Sequence, residues 1–111
     1  DNQNPSLQAS LLSSEFEILL PTEIDPQTLE NQINTLFAQA SLPVQRRKKS
    51  VDLKKLILDW QMLYEATKPL LKITMKATPL ENGRPDELLV LLGIDPADCV
   101  ITRTKLIFSE E

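Results

Sequence analysis

The chain has 111 residues, with 12 Lys and Arg against 16 Asp and Glu, a length that fits one domain with a core of its own. It has no His, which excludes Ser-His-Asp and Cys-His catalysis, His-ligated zinc and the HExxH metalloprotease helix. Its single cysteine, Cys99, excludes an internal disulfide and an iron–sulfur cluster held by this chain alone, and two glycines, Gly83 and Gly93, exclude a Walker loop or a GxGxxG turn.

Residues 1–14 are polar, with a short apolar patch at Leu7, Ala9, Leu11 and Leu12, and read as a lead-in segment. Glu15 to Leu20 alternates and then turns apolar before Pro21, which is the pattern of a strand. Asp25-Pro26 supplies an N-cap and a proline at the first helical position. Leu29, Ile33, Leu36 and Phe37 follow at helical spacing, which predicts an amphipathic helix over 26–40. Val44 to Leu53 is a charged extended segment, expected as an edge strand because Lys and Arg discourage edge-to-edge pairing.

Leu56 to Ala66 carries two signals. Leu56, Trp60 and Leu63 suit a helix, and Leu58, Trp60, Met62 and Tyr64 suit a strand. After the break at Thr67-Lys68-Pro69, residues 70–77 alternate with Leu71, Ile73, Met75 and Ala77 inward, and this hairpin-like pairing favours strand for the preceding segment. Residues 79–83 form a loop. Pro85 opens a short helix with Asp86 and Glu87 in its first turn, and Gly93 supplies its stop. Val100 to Phe108 is a last strand. The order predicts one α+β domain over 15–108 with a short tail at 109–111. Its expected form is a mainly antiparallel sheet of four to five strands with two helices on one face, as in the ferredoxin-like βαββαβ arrangement.

The net charge of −4 hides a cluster. Arg46, Arg47, Lys48, Lys49, Lys54 and Lys55 place six of the twelve basic residues within ten positions. Such a run neutralises phosphates, or it solubilises an edge strand. Arg84, before a helix, is a second anion or partner contact, unless it pairs with Asp86 or Glu87. Arg103 and Lys105 would enlarge the patch if their strand lay beside the basic one. The aromatic residues Phe16, Phe37, Trp60 and Phe108 sit at apolar-periodic positions and read as core, with Tyr64 the exception. Asp52 and Asp59 are read as solvated or turn carboxylates rather than an acid/base pair. Cys99 reads as a small buried hydrophobe. No stretch reaches the roughly 18 apolar residues of a membrane span, no secretory signal is visible, and the lone cysteine fits a reducing cytoplasm.

Several segments together resemble a known family. They are Pro5-Ser6-Leu7, Ser14 to Pro21, Arg47-Lys48-Lys49-Ser50-Val51-Asp52-Leu53, Gly83-Arg84-Pro85-Asp86-Glu87-Leu88-Leu89 and Ile101-Thr102-Arg103-Thr104, in that order. They are similar to the C-terminal part of the radical-SAM-associated domain of unknown function, which is encoded beside or fused behind a radical SAM iron–sulfur protein. Lys54-Lys55 stands where that family carries an Arg-Pro pair. The resemblance implies that the chain, which starts at Asp1 without an initiator Met, is a portion of a larger protein. It implies an iron–sulfur cluster and S-adenosylmethionine in the upstream part and no cofactor in this portion. The expectation is a non-catalytic accessory domain that presents RNA or a ribosomal component to the upstream site. Arg46, Arg47, Lys48, Lys49, Lys55, Arg84 and Arg103 are its phosphate or acidic-partner contacts. The alternative is an interaction module that docks on the radical SAM barrel and touches no nucleic acid.

Overall fold

The computed structural model describes residues 11–65, 68–78 and 82–108. The apolar patch at Leu7 and Ala9, the Pro5-Ser6-Leu7 motif, the break at Thr67, loop residues 79–81 and the tail at 109–111 lie outside the described residues.

Strand β1 (Leu11–Leu19) begins four residues before the position the sequence indicated. Ser13 and Ser14 are the reason. Both are buried at 4 % and 2 % exposure, and both sit in the ladders to the neighbouring strands, so two polar residues conceal an interior strand. Phe16 and Ile18 then point to the core, while Glu15 and Glu17 alternate away from it. Pro21 ends the strand because it has no N–H to donate.

Helix α1 (Pro26–Phe37) starts where the Asp25 carboxylate accepts from the Thr28 amide at 3.2 Å and the Thr28 hydroxyl at 2.6 Å. Those bonds, the hydroxyl's first, hold the Asp25 carboxyl below its usual range. Leu29 and Ile33 bury its inner face. Next come strands β2 (Pro43–Arg46) and β3 (Lys49–Asp52), the single helical turn α2 (Leu53–Leu56), and strands β4 (Ile57–Glu65) and β5 (Lys68–Lys76). The ambiguous stretch resolves as strand: Trp60 and Leu63, which also suited a helix, lie in β4 with Met62, while the helical turn α2, buried by Leu53 and Leu56, ends at Leu56 where that stretch begins. Helix α3 (Pro85–Leu91) and strand β6 (Val100–Phe108) complete the chain.

The main sheet runs β4-β5-β1-β6, and every neighbouring pair is antiparallel. With β2, β3 and α2 set aside, this is the expected α+β arrangement, with the strand order of a split βαβ unit. Leu71, Ile73 and Met75 of β5 are fully buried with Leu29 and Ile33 of α1 and Leu88 and Leu89 of α3 in one cluster. Both helices thus cover one sheet face, as the periodicity required.

The basic segment departs from expectation. It is not an edge of the main sheet. It folds back on itself as a separate two-stranded hairpin, because Arg47-Lys48 forms its turn. Strand β6 also carries an irregularity opposite Glu15 and Phe16. Arg103 pairs with Phe16 and Lys105 with Glu15, so these two basic residues sit on opposite sheet faces.

Two glycines set the ends of the α3 region. Gly93, at φ +79°, follows α3, where the Ile94 amide reaches the Leu89 carbonyl at 2.9 Å and the Gly93 amide reaches Val90 at 3.0 Å. Gly83 donates to the Lys76 carbonyl at 2.8 Å and lies so close to β5 that a Cβ there would sit 2.7 Å from the Met75 Cβ. Gly83→Ala is therefore expected to lower stability by about 1–3 kcal/mol through overpacking. Urea denaturation checks this, and an unchanged midpoint would contradict the close approach.

Candidate anion-binding site

The hairpin pairs Val44 with Val51 and Arg46 with Lys49. Directly paired residues share a face, so Arg46 and Lys49 lie on the same side as the two half-buried valines, which pack against the core. Gln45 and Ser50 occupy the other side.

Three interactions fix the hairpin to the body. At its foot, Asp52 Oδ1 accepts from the Leu42 amide at 2.8 Å and the Lys54 amide at 3.1 Å, and the Leu53 amide donates to the Leu42 carbonyl at 2.8 Å. Asp52 is thus the N-cap of α2, which accounts for its carboxylate without acid/base chemistry. The Lys54 ammonium donates to the Gln39 carbonyl just beyond α1, so Lys54 is also engaged. Near the tip, Arg46 reaches α3. Its Nε donates to Glu87 Oε2 at 3.0 Å, and its Nη2 donates to Glu87 Oε1 at 2.7 Å and to the Asn82 carbonyl at 2.8 Å. The two side chains are 12 % and 15 % exposed. The bond from Glu87 raises the Arg46 pKa further above its already high ordinary value.

This pairing bears on two readings. Arg46 is not a free cation, because Glu87 and the Asn82 carbonyl take its Nε and Nη2, which leaves Nη1 without a partner among the described residues. Glu87 does not pair with Arg84. Arg84 precedes α3 with an exposed side chain that makes no capping bond.

The other basic residues separate into groups. Arg47 and Lys48 form the exposed turn, and Lys49 is exposed beside it. None of these three has a side-chain partner among the described residues. Lys55, on α2, is exposed and likewise unpaired there. Arg84 follows Asn82 by two positions and precedes Glu87 by three, and Arg46 bonds to both of these. Arg103 lies on β6, an edge strand of the main sheet, in register with Phe16, whereas the basic hairpin forms a sheet of its own, so β6 and the hairpin are not paired neighbours.

A cleft of about 260 Å³ runs along the hairpin from Arg46 and Lys49 beside the turn to Asp52 at its foot. Ser50, Lys55 and Asn82 line it as well, with Val51 and Leu56 as its apolar part. The sequence had singled out Arg46, Lys49 and Lys55. It had not singled out Ser50 or Asn82, nor the role of Glu87. Nothing local links residue 46 to residues 82 and 87, because that link is made only by the fold.

The aromatic residues do not form a stacking surface. Phe16, Phe37 and Trp60 pack against the core, with the last two edge to face at 6.2 Å and 74°. Phe108 is 48 % exposed near the end of β6, and the Tyr64 side chain lies outside the described set. Cys99 is partly buried. Burial first, then Asp98 and Asp95, push its thiol up, which disfavours a thiolate nucleophile. No helix among the described residues is long and apolar enough to cross a membrane, and no group of three or more Cys, Asp or Glu among them could hold a metal ion.

No family model, no curated protein and no solved structure matches this chain.

If the Arg46–Glu87 contact fixes the hairpin, then Arg46→Ala and Glu87→Ala should each cost about 1–3 kcal/mol of stability. The double variant should cost less than their sum, with a coupling of about 0.5–3 kcal/mol. Urea unfolding of the four proteins measures it, and strict additivity would show that the contact is energetically idle.

Proposed function

We propose that the chain is a non-catalytic recognition domain whose basic hairpin holds the phosphate backbone of RNA. The carrying observation is the tip itself. Arg47, Lys48 and Lys49 are consecutive, exposed and unpaired among the described residues, on a two-stranded turn whose neighbour Arg46 is anchored to Glu87. Cations without intramolecular partners keep their full attraction for an external anion. An anchored turn loses little conformational freedom when it binds.

The chain's net charge of −4 supports a local contact. A polyanion is repelled by most of the molecule and attracted at the hairpin, so orientation follows from charge. Lys55 and Arg84 extend the contact. The aromatic residues packed in the core make stacking a minor contributor, and binding is therefore mainly electrostatic and tolerant of sequence.

In this reading the chemistry belongs to another part of the system. The resemblance to the radical-SAM-associated domain supplies a candidate, an upstream or neighbouring radical SAM protein in the cytoplasm that carries the iron–sulfur cluster and S-adenosylmethionine. The hairpin would present RNA, free or within a ribosomal component, to that centre.

Fluorescence anisotropy with a labelled structured RNA at several salt concentrations tests the proposal. Binding should weaken with salt, with a log–log slope of roughly −2 to −4 for three to five phosphate contacts. Arg47→Glu combined with Lys49→Glu should abolish it at near-physiological salt. Binding that is absent at low salt, or that survives this charge reversal, overturns the proposal. Tight binding of the isolated radical SAM domain in its place would identify a docking module.

A further inference from the structure

The cleft along the hairpin differs chemically from the exposed turn. A guanidinium carries five N–H donors. Arg46 directs Nε and Nη2 to Glu87 and Asn82, and its Nη1 has no partner among the described residues. Arg46 therefore lines the cleft as a cation already fixed in place, with donors to spare. Lys49 and Lys55 line the same cleft with ammonium groups that have no partner among the described residues. Three cationic donor groups around one space form a receptor for a dianion.

Two further features are unnecessary for a bare anion. The floor is apolar, with Val51 and the buried Leu56. The wall includes Asp52, whose Oδ1 is engaged by two backbone amides while Oδ2 is bonded to nothing among the described residues. A carboxylate oxygen beside a phosphate site opposes a free anion but accepts from a hydroxyl carried by the same ligand. Phosphate, apolar body and hydroxyl together describe a phosphorylated sugar, and about 260 Å³ exceeds the needs of a lone phosphate.

We infer that the cleft seats one nucleoside monophosphate unit of the bound RNA. Its phosphate lies among Arg46, Lys49 and Lys55, and a sugar hydroxyl donates to Asp52. This rests on the reading of the hairpin as an RNA-binding element and adds a defined nucleotide seat to a diffuse backbone contact. The tip then supplies attraction along the strand, and the cleft fixes where one nucleotide sits.

Amide-resolved NMR titration of the full chain tests it, with adenosine 5′-monophosphate, adenosine and inorganic phosphate as separate probes. The monophosphate should shift the amides of residues 49–56 and of Asn82. Adenosine should leave them unmoved, and phosphate should bind at least about threefold more weakly than the monophosphate, because it lacks the sugar's contacts. Lys55→Glu should weaken monophosphate binding by about tenfold or more, since it reverses a charge next to the phosphate. Lys105→Glu, on the edge strand β6, should match the wild type. If no probe shifts the cleft, or if phosphate and monophosphate bind equally, the nucleotide seat is wrong. RNA binding that Arg47→Glu still destroys would then leave the tip as the whole site. If RNA binding is absent as well, both readings fail together.

Discussion

The bidentate contact between Arg46 and Glu87 decides what the rest of the basic segment can do. The hairpin is too short to hold a position alone, since two strands of four residues bury only Val44 and Val51 against the core. Asp52 fixes its foot to the backbone of Leu42 and Lys54. Arg46 fixes the end nearest the turn to the first turn of α3. Remove that second attachment and the tip becomes a charged loop on a single hinge. With it in place, Arg47, Lys48 and Lys49 project from a defined site, and Lys55 lines the same cleft as Lys49. One cation anchors the hairpin so that its neighbours can be displayed.

The same arrangement explains how an acidic domain can carry a site for an anion. The exposed sheet face balances its charges internally, with Lys72 near Glu15 at 3.6 Å and Lys105 paired in register with Glu15. The helices and the aromatic residues Phe16, Phe37 and Trp60 are committed to the core. The unbalanced positive charge is therefore concentrated on the inserted hairpin and the turn that follows it, outside the βαββαβ frame. Recognition placed on an insertion leaves the core unaffected by changes in the recognised partner.

Much of this frame was legible in the sequence. Alternation at Leu71, Ile73 and Met75 assigned the core face of β5, and Asp25-Pro26 located the start of α1, because each is a local rule with a local cause. The start of β1 was hidden by Ser13 and Ser14, whose burial depends on neighbouring strands. The basic segment was recognised as chemically distinct but misplaced as an edge strand. Its charge pattern suits either an edge or a free hairpin, and only the turn at Arg47-Lys48 separates the two. The site was legible as a list of cations and illegible as a geometry. Contacts across 41 positions, from Arg46 to Glu87, leave no periodic signal, and the absence of pairing between β6 and the hairpin is set by the sheet topology.

The most direct test of this account is the RNA affinity of Glu87→Ala beside that of the wild type, at one salt concentration. This substitution deletes a negative charge close to the basic tip. If charge alone governed binding, affinity would rise, because Arg46 would be freed and the repulsion reduced. If the anchored hairpin governs binding, affinity falls, because the tip must then be ordered at the expense of binding energy. A weaker complex is the result the account predicts, and an equal or tighter complex would contradict it.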